Sequence, residues 1–185
     1  QTKQVALLSA AAVPVRKEYR LAGQDWYYRG AQSDLGRQHK VAVFVEFDNK
    51  GGELGMPLPK GIVRVYKKDS RGNALFIGED RIDHTAKNET VRLKLGDAFD
   101  VKASRKQTGF RKIADRVYES AFSIELSNAK DSAVTVKVVE PVPGDWEMVA
   151  ESQKHAKGDA HSAVWLVQVP AQGKATLDYS VRMRW

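Results

Sequence analysis

The chain has 185 residues, of which 42% are hydrophobic and 29% charged; these proportions are typical of a globular domain and exclude simple disorder. No apolar run approaches the roughly 20 residues that cross a bilayer as a helix. The 30 basic and 23 acidic side chains leave a formal net charge of +7, which favours acidic partners without choosing among nucleic acid, anionic lipid and protein. Cysteine is absent, which excludes disulfides, thiolate metal sites and a cysteine nucleophile.

Alternation of apolar and polar residues, the pattern of a half-buried strand, recurs along the whole chain. In chain order, the apolar sets are Val13, Val15, Tyr19 and Leu21; Val41, Val43, Val45 and Phe47; Tyr118, Phe122, Ile124 and Leu126; Val134, Val136 and Val138; and Ala175, Leu177, Tyr179, Val181, Met183 and Trp185. Shorter runs rich in residues that favour a half-buried pleated surface occupy 62–67, 75–81, 91–95 and 164–169. Residues 1–12 also suit a helical turn, and 147–157 suit a strand, a short helix or a loop.

Turn-forming residues separate these runs. Residues 48–52, 141–144 and 170–173 break the chain, and we expect hairpins at 69–73 and 127–131. The glycine- and proline-rich segment 51–61 is either a long loop or a seam between two sub-lobes, and we favour the loop.

The number and spacing of these runs predict an all-β fold with little or no helix. We expect a two-sheet antiparallel sandwich of about ten to twelve strands, with the alternating apolar sets on the inner faces. The same reasoning predicts one domain over residues 1–185.

The densest charge lies in residues 101–116, where six basic side chains accompany one acidic side chain. If the segment turns near Gly109, Arg105 and Arg111 could hold a phosphate or carboxylate in a bidentate manner. The alternative is a solvated edge strand whose cations discourage aggregation. We select Arg105, Lys106, Arg111 and Lys112 as a candidate surface for an anion or a partner.

Three other groups are weaker candidates. His155, Asp159 and His161 have no established metal-ligand spacing, and nearby lysines would oppose a cation, so we expect a polar loop. Adjacent carboxylates such as Glu79 and Asp80 point to opposite faces of a strand, which favours an ion-paired strand end over an acid–base site. The aromatic run 26–28 is either a stacking platform or a packing cluster, and packing is the commoner outcome.

No catalytic signature is present: the chain lacks a nucleophile elbow, a phosphate-binding glycine loop and a zinc-protease helix motif. We therefore expect no catalytic residue, no cofactor and no metal.

Several runs together resemble the carboxy-terminal region of bacterial proteins of domain-of-unknown-function family 4139. They are LPKGIVRVY at 58–66, FIGEDRIDH at 76–84, VRLKLGDAFDV at 91–101, RKQT at 105–108, EPVPGDW at 140–146 and YSVRMRW at 179–185. The resemblance covers residues 5–185. It implies a β-rich domain that ends a longer exported protein, whose export signal would precede Gln1. The family has no established activity, so it implies no catalytic residues.

These observations lead to a non-enzymatic interaction or structural module of an exported bacterial protein, periplasmic or secreted, that contacts a protein or an anionic surface. One alternative is an enzyme or accessory domain acting on glycans, with Glu79, Asp80 or Asp83 as its carboxylates. Another is polyanion or nucleic-acid binding through residues 102–116, against which an exported location argues.

Overall fold

The computed structural model describes residues 8–35 and 38–184. Eleven strands and one short 3-10 helix, Asp25–Tyr28, make up its regular structure. The strands are β1 (Arg16–Ala22), β2 (His39–Asp48), β3 (Gly61–Lys68), β4 (Ala74–Ile82), β5 (Thr90–Ala114), β6 (Val117–Asn128), β7 (Val134–Pro141), β8 (Asp145–Glu151), β9 (Ala156–Asp159), β10 (Ser162–Val169) and β11 (Gly173–Arg184). The predicted all-β sandwich is confirmed. Residues 147–157, left open above, contribute most of β8 and the start of β9.

Nine strands form one sheet in the order β8-β11-β6-β5-β2-β1-β7-β10-β9, and β3 and β4 form a two-stranded sheet of their own. The chain divides into two compact units. Unit 1 takes the chain up to Glu18 together with Val43–Gly96, and unit 2 takes Tyr19–Ala42 and the chain from Asp97 onward. The loop at 51–61 lies inside unit 1, so none of the three boundaries between the units falls on it.

Unit 2 holds the sandwich core. Trp165 on β10 packs on Tyr179 of β11, with ring centroids 4.9 Å apart, although five strands separate β10 from β11 in the sheet order. The sheet therefore folds back on itself into two layers. Their inner faces bury many of the side chains predicted from alternation, but of the set predicted on β2 only Val41 is buried, whereas Val43, Val45 and Phe47 are half-buried. Those buried on β6, β7 and β11 are Phe122, Ile124, Leu126, Val134, Val136, Val138, Leu177, Tyr179, Val181 and Met183. Trp185, the last member of the predicted set, lies outside the described residues.

One connection and one strand pairing differ from the prediction. Residues 127–131 do not close a hairpin, because β6 pairs with β5 and β11 whereas β7 pairs with β1 and β10. The segment instead carries the chain between strands that are not neighbours. In addition, β1 pairs with β7 in parallel, through Tyr19↔Val136 and Leu21↔Val138, so the pairing is not antiparallel throughout.

Unit 1 contains the β3–β4 ribbon, whose two strands are joined by the predicted hairpin turn at 69–73. The Asp69 carboxylate accepts the backbone amides of Arg71 and Asn73, both at 2.8 Å, and Gly72 adopts a left-handed φ of 86° that favours glycine. One face of the ribbon packs on β5: the Asp80 carboxylate accepts the amide of Lys94, and a Cβ on Gly78 would lie 2.8 Å from the Leu95 carbonyl oxygen.

The early alternating set is only partly a strand. Tyr19 and Leu21 are buried in β1, whereas Val15 precedes the strand and is 63% exposed. Val13 also precedes the strand and is half-buried, so the alternation at Val13 and Val15 does not mark a strand.

Candidate functional site

The sequence-predicted basic segment is the first arm of a hairpin formed by β5 and β6. Asp115 and Arg116 form its turn, and Arg116 takes a left-handed φ of 56°. The pairing shifts register between Gln107 and Gly109, so Thr108 is an extra residue on β5. Because a bulge breaks the two-residue alternation, Arg105 and Arg111 do not share a face as strict alternation would require.

Arg105 is not a surface residue: its side chain is fully buried in unit 2. It continues the inward-facing set of β5, after the buried Val101 and Ala103. Its guanidinium donates two hydrogen bonds to Glu140 of β7, from Nη1 to Oε2 at 3.0 Å and from Nη2 to Oε1 at 2.5 Å. Both partners are desolvated and bound to each other in bidentate geometry, so the guanidinium is not available to an external anion.

Two tyrosines complete this buried cluster. Tyr28 of the 3-10 helix donates its hydroxyl to Glu140 Oε2 at 3.0 Å, and its oxygen lies 2.8 Å from that of Tyr179 on β11. Burial raises the pKa of both tyrosines well above 10, and the Glu140 carboxylate raises it further. Burial also raises the pKa of Glu140, against the opposing effect of Arg105. The network therefore keeps both phenols protonated as donors in the core.

Gly23 makes room for the carboxylate. A Cβ at this position would lie 2.1 Å from Glu140 Oε2 and 2.9 Å from Arg105 Nη1, so no larger residue fits without displacing the ion pair. On its other side, the guanidinium of Arg105 lies over the ring of Tyr27, 4.7 Å from its centroid. The cluster is enclosed by the chain's own groups and has the character of a structural element of the core.

Arg111 and Lys112 are on the surface, but each lies close to an acidic side chain. Arg111 is 67% exposed, and its Nη2 lies 2.6 Å from Glu119 Oε1, while Arg182 contacts the other oxygen of Glu119 at 3.1 Å. The hydrogen bond from Arg111 lowers the pKa of Glu119. Lys112 lies 3.5 Å from Asp115. These contacts offset much of the positive potential that an anion would need.

Lys106 points to solvent and lines an open groove of about 770 Å³ in unit 2. The carboxylates of Asp34 and Glu125 line the same groove. The structure therefore places the four predicted residues in three different environments and does not bring them together as one anion-facing surface. Anion binding by Lys106, Arg111 and Lys112 stays a prediction.

The three carboxylates considered for a glycan site, those of Glu79, Asp80 and Asp83, are in different surroundings. Glu79 forms an ion pair with Arg64 across the ribbon, with Nε and Oε2 2.9 Å apart. Asp80 accepts the backbone amides of Arg81 and Lys94. Asp83 follows the end of β4 at an exposed position. This arrangement matches the ion-paired strand end favoured from the sequence.

The histidine-rich segment belongs to a packed corner of unit 2. His155 lies between Trp146 and Trp165, and its Nδ1 is 2.9 Å from Glu151 Oε2. Asp159 accepts the backbone amide of His161 in the turn between β9 and β10. Within residues 8–35 and 38–184, no three His, Asp or Glu side chains are grouped so that they could hold a metal ion.

The aromatic run 26–28 is mainly a packing cluster. Tyr27 and Tyr28 are buried, and Trp26, 46% exposed, packs edge-on against Tyr27 at 4.5 Å.

A cluster of exposed apolar side chains lies elsewhere, on the β3–β4 ribbon of unit 1. Tyr66 and Phe76 are directly opposite each other in the register, with ring centroids 5.6 Å apart, and are 54% and 50% exposed. Ile62 lies on the same face and is 53% exposed; Leu75 is 59% exposed. The sequence runs 62–67 and 75–81 were expected to be half-buried, and this is wrong for most of their side chains.

Cations lie beside this apolar surface. Lys67 and Lys68 are exposed at the end of β3, and Arg71 is exposed in the turn that follows. The one carboxylate there, that of Asp69, is held by turn hydrogen bonds, of which those from Asn73 lower its pKa most. The ribbon end therefore combines exposed aromatic and aliphatic side chains with a local excess of positive charge, which alternation alone did not distinguish from a core strand.

In the described part of the chain, no helix is long and apolar enough to cross a membrane. Compared with protein-family models, with curated proteins and with solved structures, the chain gives no match. Membership of domain-of-unknown-function family 4139 stays a prediction that rests on the short runs quoted above.

Proposed function

We propose that this chain is a non-enzymatic interaction module of an exported bacterial protein, and that its contact surface is the exposed face and distal end of the β3–β4 ribbon. The single observation behind this proposal is the pair Tyr66 and Phe76, opposite each other on a two-stranded ribbon and each about half exposed. Apolar side chains clustered on one exposed surface are typical of sites that bind a partner. The exported location rests on the family resemblance.

The charges of the ribbon end define the chemistry of the partner. Lys67, Lys68 and Arg71 lie between the aromatic pair and the tip of the ribbon, and the Asp69 carboxylate accepts hydrogen bonds within the turn. A complementary surface would be apolar where it meets the rings and acidic at its rim, because opposite potentials steer association and like charges oppose it. The proposed partner is therefore an acidic, amphipathic surface.

Two alternatives have less support. A glycan-processing site would need carboxylates that converge in a cleft, whereas Glu79 is paired with Arg64 and Asp80 binds backbone amides. In a polyanion site on the basic hairpin, Arg105 would be absent because it is buried in the core, and Arg111 and Lys112 each lie beside an acidic side chain.

The absence of cysteine allows a clean test of which surface makes contact. Ala74→Cys places one thiol at an exposed position next to the apolar cluster, and Ala171→Cys places one at an exposed turn of unit 2. Each variant is labelled with a polarity-sensitive fluorophore and mixed with anionic vesicles, soluble poly-glutamate or single-stranded DNA.

We expect the Ala74→Cys label to report a less polar environment with at least one of these three probes. The Ala171→Cys label should show no such change. Adding Tyr66→Ser and Phe76→Ser to Ala74→Cys should abolish the response with little effect on the thermal midpoint, because both rings are about half exposed and neither belongs to the buried core. Binding detected by sedimentation without any response of the ribbon label would overturn the proposal.

A further inference from the structure

We infer that the acidic, amphipathic surface recognised by the ribbon is an anionic lipid bilayer, contacted by the distal end of the ribbon at residues 66–77. The inference rests on the proposed function and names the partner of that same surface. It is carried by the distribution of apolar side chains around the ribbon end and by the charges beside them.

Apolar side chains are exposed on both faces of the ribbon end. Tyr66 and Phe76 share one face because they are directly opposite in the register. Leu75 precedes Phe76 and so points to the other face, where it is 59% exposed. Ile77, in the bulged part of β4, is 38% exposed. A protein groove covers one face of a docked ribbon, whereas the headgroup region of a bilayer surrounds a ribbon end on both faces.

The residue types fit the boundary between headgroups and acyl chains. Tyrosine presents an apolar ring and a polar hydroxyl, and is enriched at that boundary. Phe76 and Leu75 add apolar area beside it. The long side chains of Lys67 and Lys68 can lay their methylene groups along the apolar layer and extend their ammonium groups to phosphates. The polar turn at 69–73 matches a position among headgroups.

The charge balance favours anionic lipid over neutral lipid. Residues 66–77 contain Lys67, Lys68 and Arg71 and a single acid, Asp69. Each cation near an anionic leaflet strengthens binding about five-fold, and salt weakens the effect. Three cations together correspond to roughly a 100-fold preference for anionic over neutral vesicles.

The test uses the whole chain carrying a fluorophore at Ala74→Cys, with Ala171→Cys as the matched label control. The probes are vesicles of phosphatidylcholine alone, vesicles of phosphatidylcholine and phosphatidylglycerol in equal parts, and soluble poly-glutamate. A quencher attached to the lipid acyl chain reports contact with the bilayer, and aqueous iodide reports exposure to water.

The inference expects three results together: binding to the mixed vesicles about 100-fold tighter than to neutral ones, quenching of the Ala74→Cys label by the lipid-borne quencher, and protection of that label from iodide. The Ala171→Cys label should remain accessible to iodide and unquenched by lipid.

If the Ala74→Cys label responds to poly-glutamate but is not quenched by either kind of vesicle, the assignment to lipid is overturned. The proposed contact surface would still be supported. Silence of the ribbon label with every probe would overturn both. Equal binding to neutral and anionic vesicles would overturn the role of the cations and the assignment to anionic lipid.

Discussion

Arg105 and Glu140 bind each other inside unit 2 through two hydrogen bonds, with both side chains fully buried. They come from β5 and β7, which are not neighbours in the sheet. The pair thus joins parts of the fold that backbone hydrogen bonds do not connect directly. Taking two charges out of water is costly, and their mutual attraction, the hydroxyl of Tyr28 and the ring of Tyr27 beside the guanidinium help to offset that cost.

Removing one member of this pair is expected to destabilise the protein strongly, because it leaves the other charge buried and unpaired. Arg105→Met or Glu140→Leu should each lower the free energy of unfolding by about 3–5 kcal/mol. The double variant should lose much less than the sum of the single losses, since it leaves neither charge. Urea unfolding of all four proteins gives the coupling energy, and strictly additive losses would contradict the bidentate contact.

Gly23→Ala should destabilise the protein by about 3 kcal/mol, because the new methyl group would overlap Glu140 Oε2 and force the ion pair to move. Gly30→Ala is the matched control, since a Cβ there meets nothing within 4 Å. Chemical denaturation of both variants distinguishes a specific clash from a general effect of replacing glycine. Equal losses in the two variants would show that the close approach at Gly23 is not important.

Alkaline pH should unfold the protein through its buried tyrosines. In the unfolded chain the phenols of Tyr28 and Tyr179 ionise near pH 10, whereas burial holds their pKa well above 10 in the folded state. Above pH 10 the folded state therefore binds more protons than the unfolded state, and the free energy of unfolding falls as pH rises. Titration of tyrosinate absorbance alongside urea unfolding should show that Tyr28→Phe and Tyr179→Phe lose less stability over this range.

Acid should weaken unit 1 through Asp48. Hydrogen bonds from Arg16 and from Thr90 hold the pKa of this carboxyl well below its usual 3.8. The folded state therefore gains stability from the ionised carboxylate above pH 3.8, and this contribution is lost as pH falls. The thermal midpoint of Asp48→Asn should depend less on pH in this range than that of the parent chain. Asp83→Asn, at an exposed position, is the matched control for replacing one carboxyl group by an amide.

The sequence predicted the sandwich because its longest alternating runs coincide with strands that face the core. Leu177, Tyr179 and Val181 of β11 are all buried, as their shared parity required. The same alternation also places Arg105 on the buried face of β5, because it follows Val101 and Ala103 at intervals of two residues. The surrounding basic residues made Arg105 look like part of a charged surface. Its partner Glu140 lies 35 residues further along the chain, so the sequence did not show that the two would pair.

The ribbon could not be distinguished from a core strand in the same way. A two-residue period shows that the faces of a strand differ, but not that anything covers the apolar one. Tyr66 and Phe76 alternate as core residues do, yet both rings are about half exposed. Residues 127–131 have the composition of a hairpin turn, and only the pairing partners of β6 and β7 reveal a longer connection.

The measurement that tests the central claim most directly is the affinity of two charge-matched variants for vesicles of phosphatidylcholine and phosphatidylglycerol in equal parts. One variant removes three cations from the ribbon, as Lys67→Gln, Lys68→Gln and Arg71→Gln. The other removes three exposed cations from unit 2, as Lys106→Gln, Lys112→Gln and Lys154→Gln. Both have the same net charge, so a general loss of attraction affects them equally.

Sedimentation with these vesicles should show binding weakened about 100-fold by the ribbon substitutions and only slightly by those in unit 2. That result would identify the ribbon as the surface that contacts the membrane. If the unit 2 variant lost binding and the ribbon variant kept it, the proposed role of the ribbon would be contradicted. The basic hairpin of β5 and β6 would then be the better candidate for the binding site.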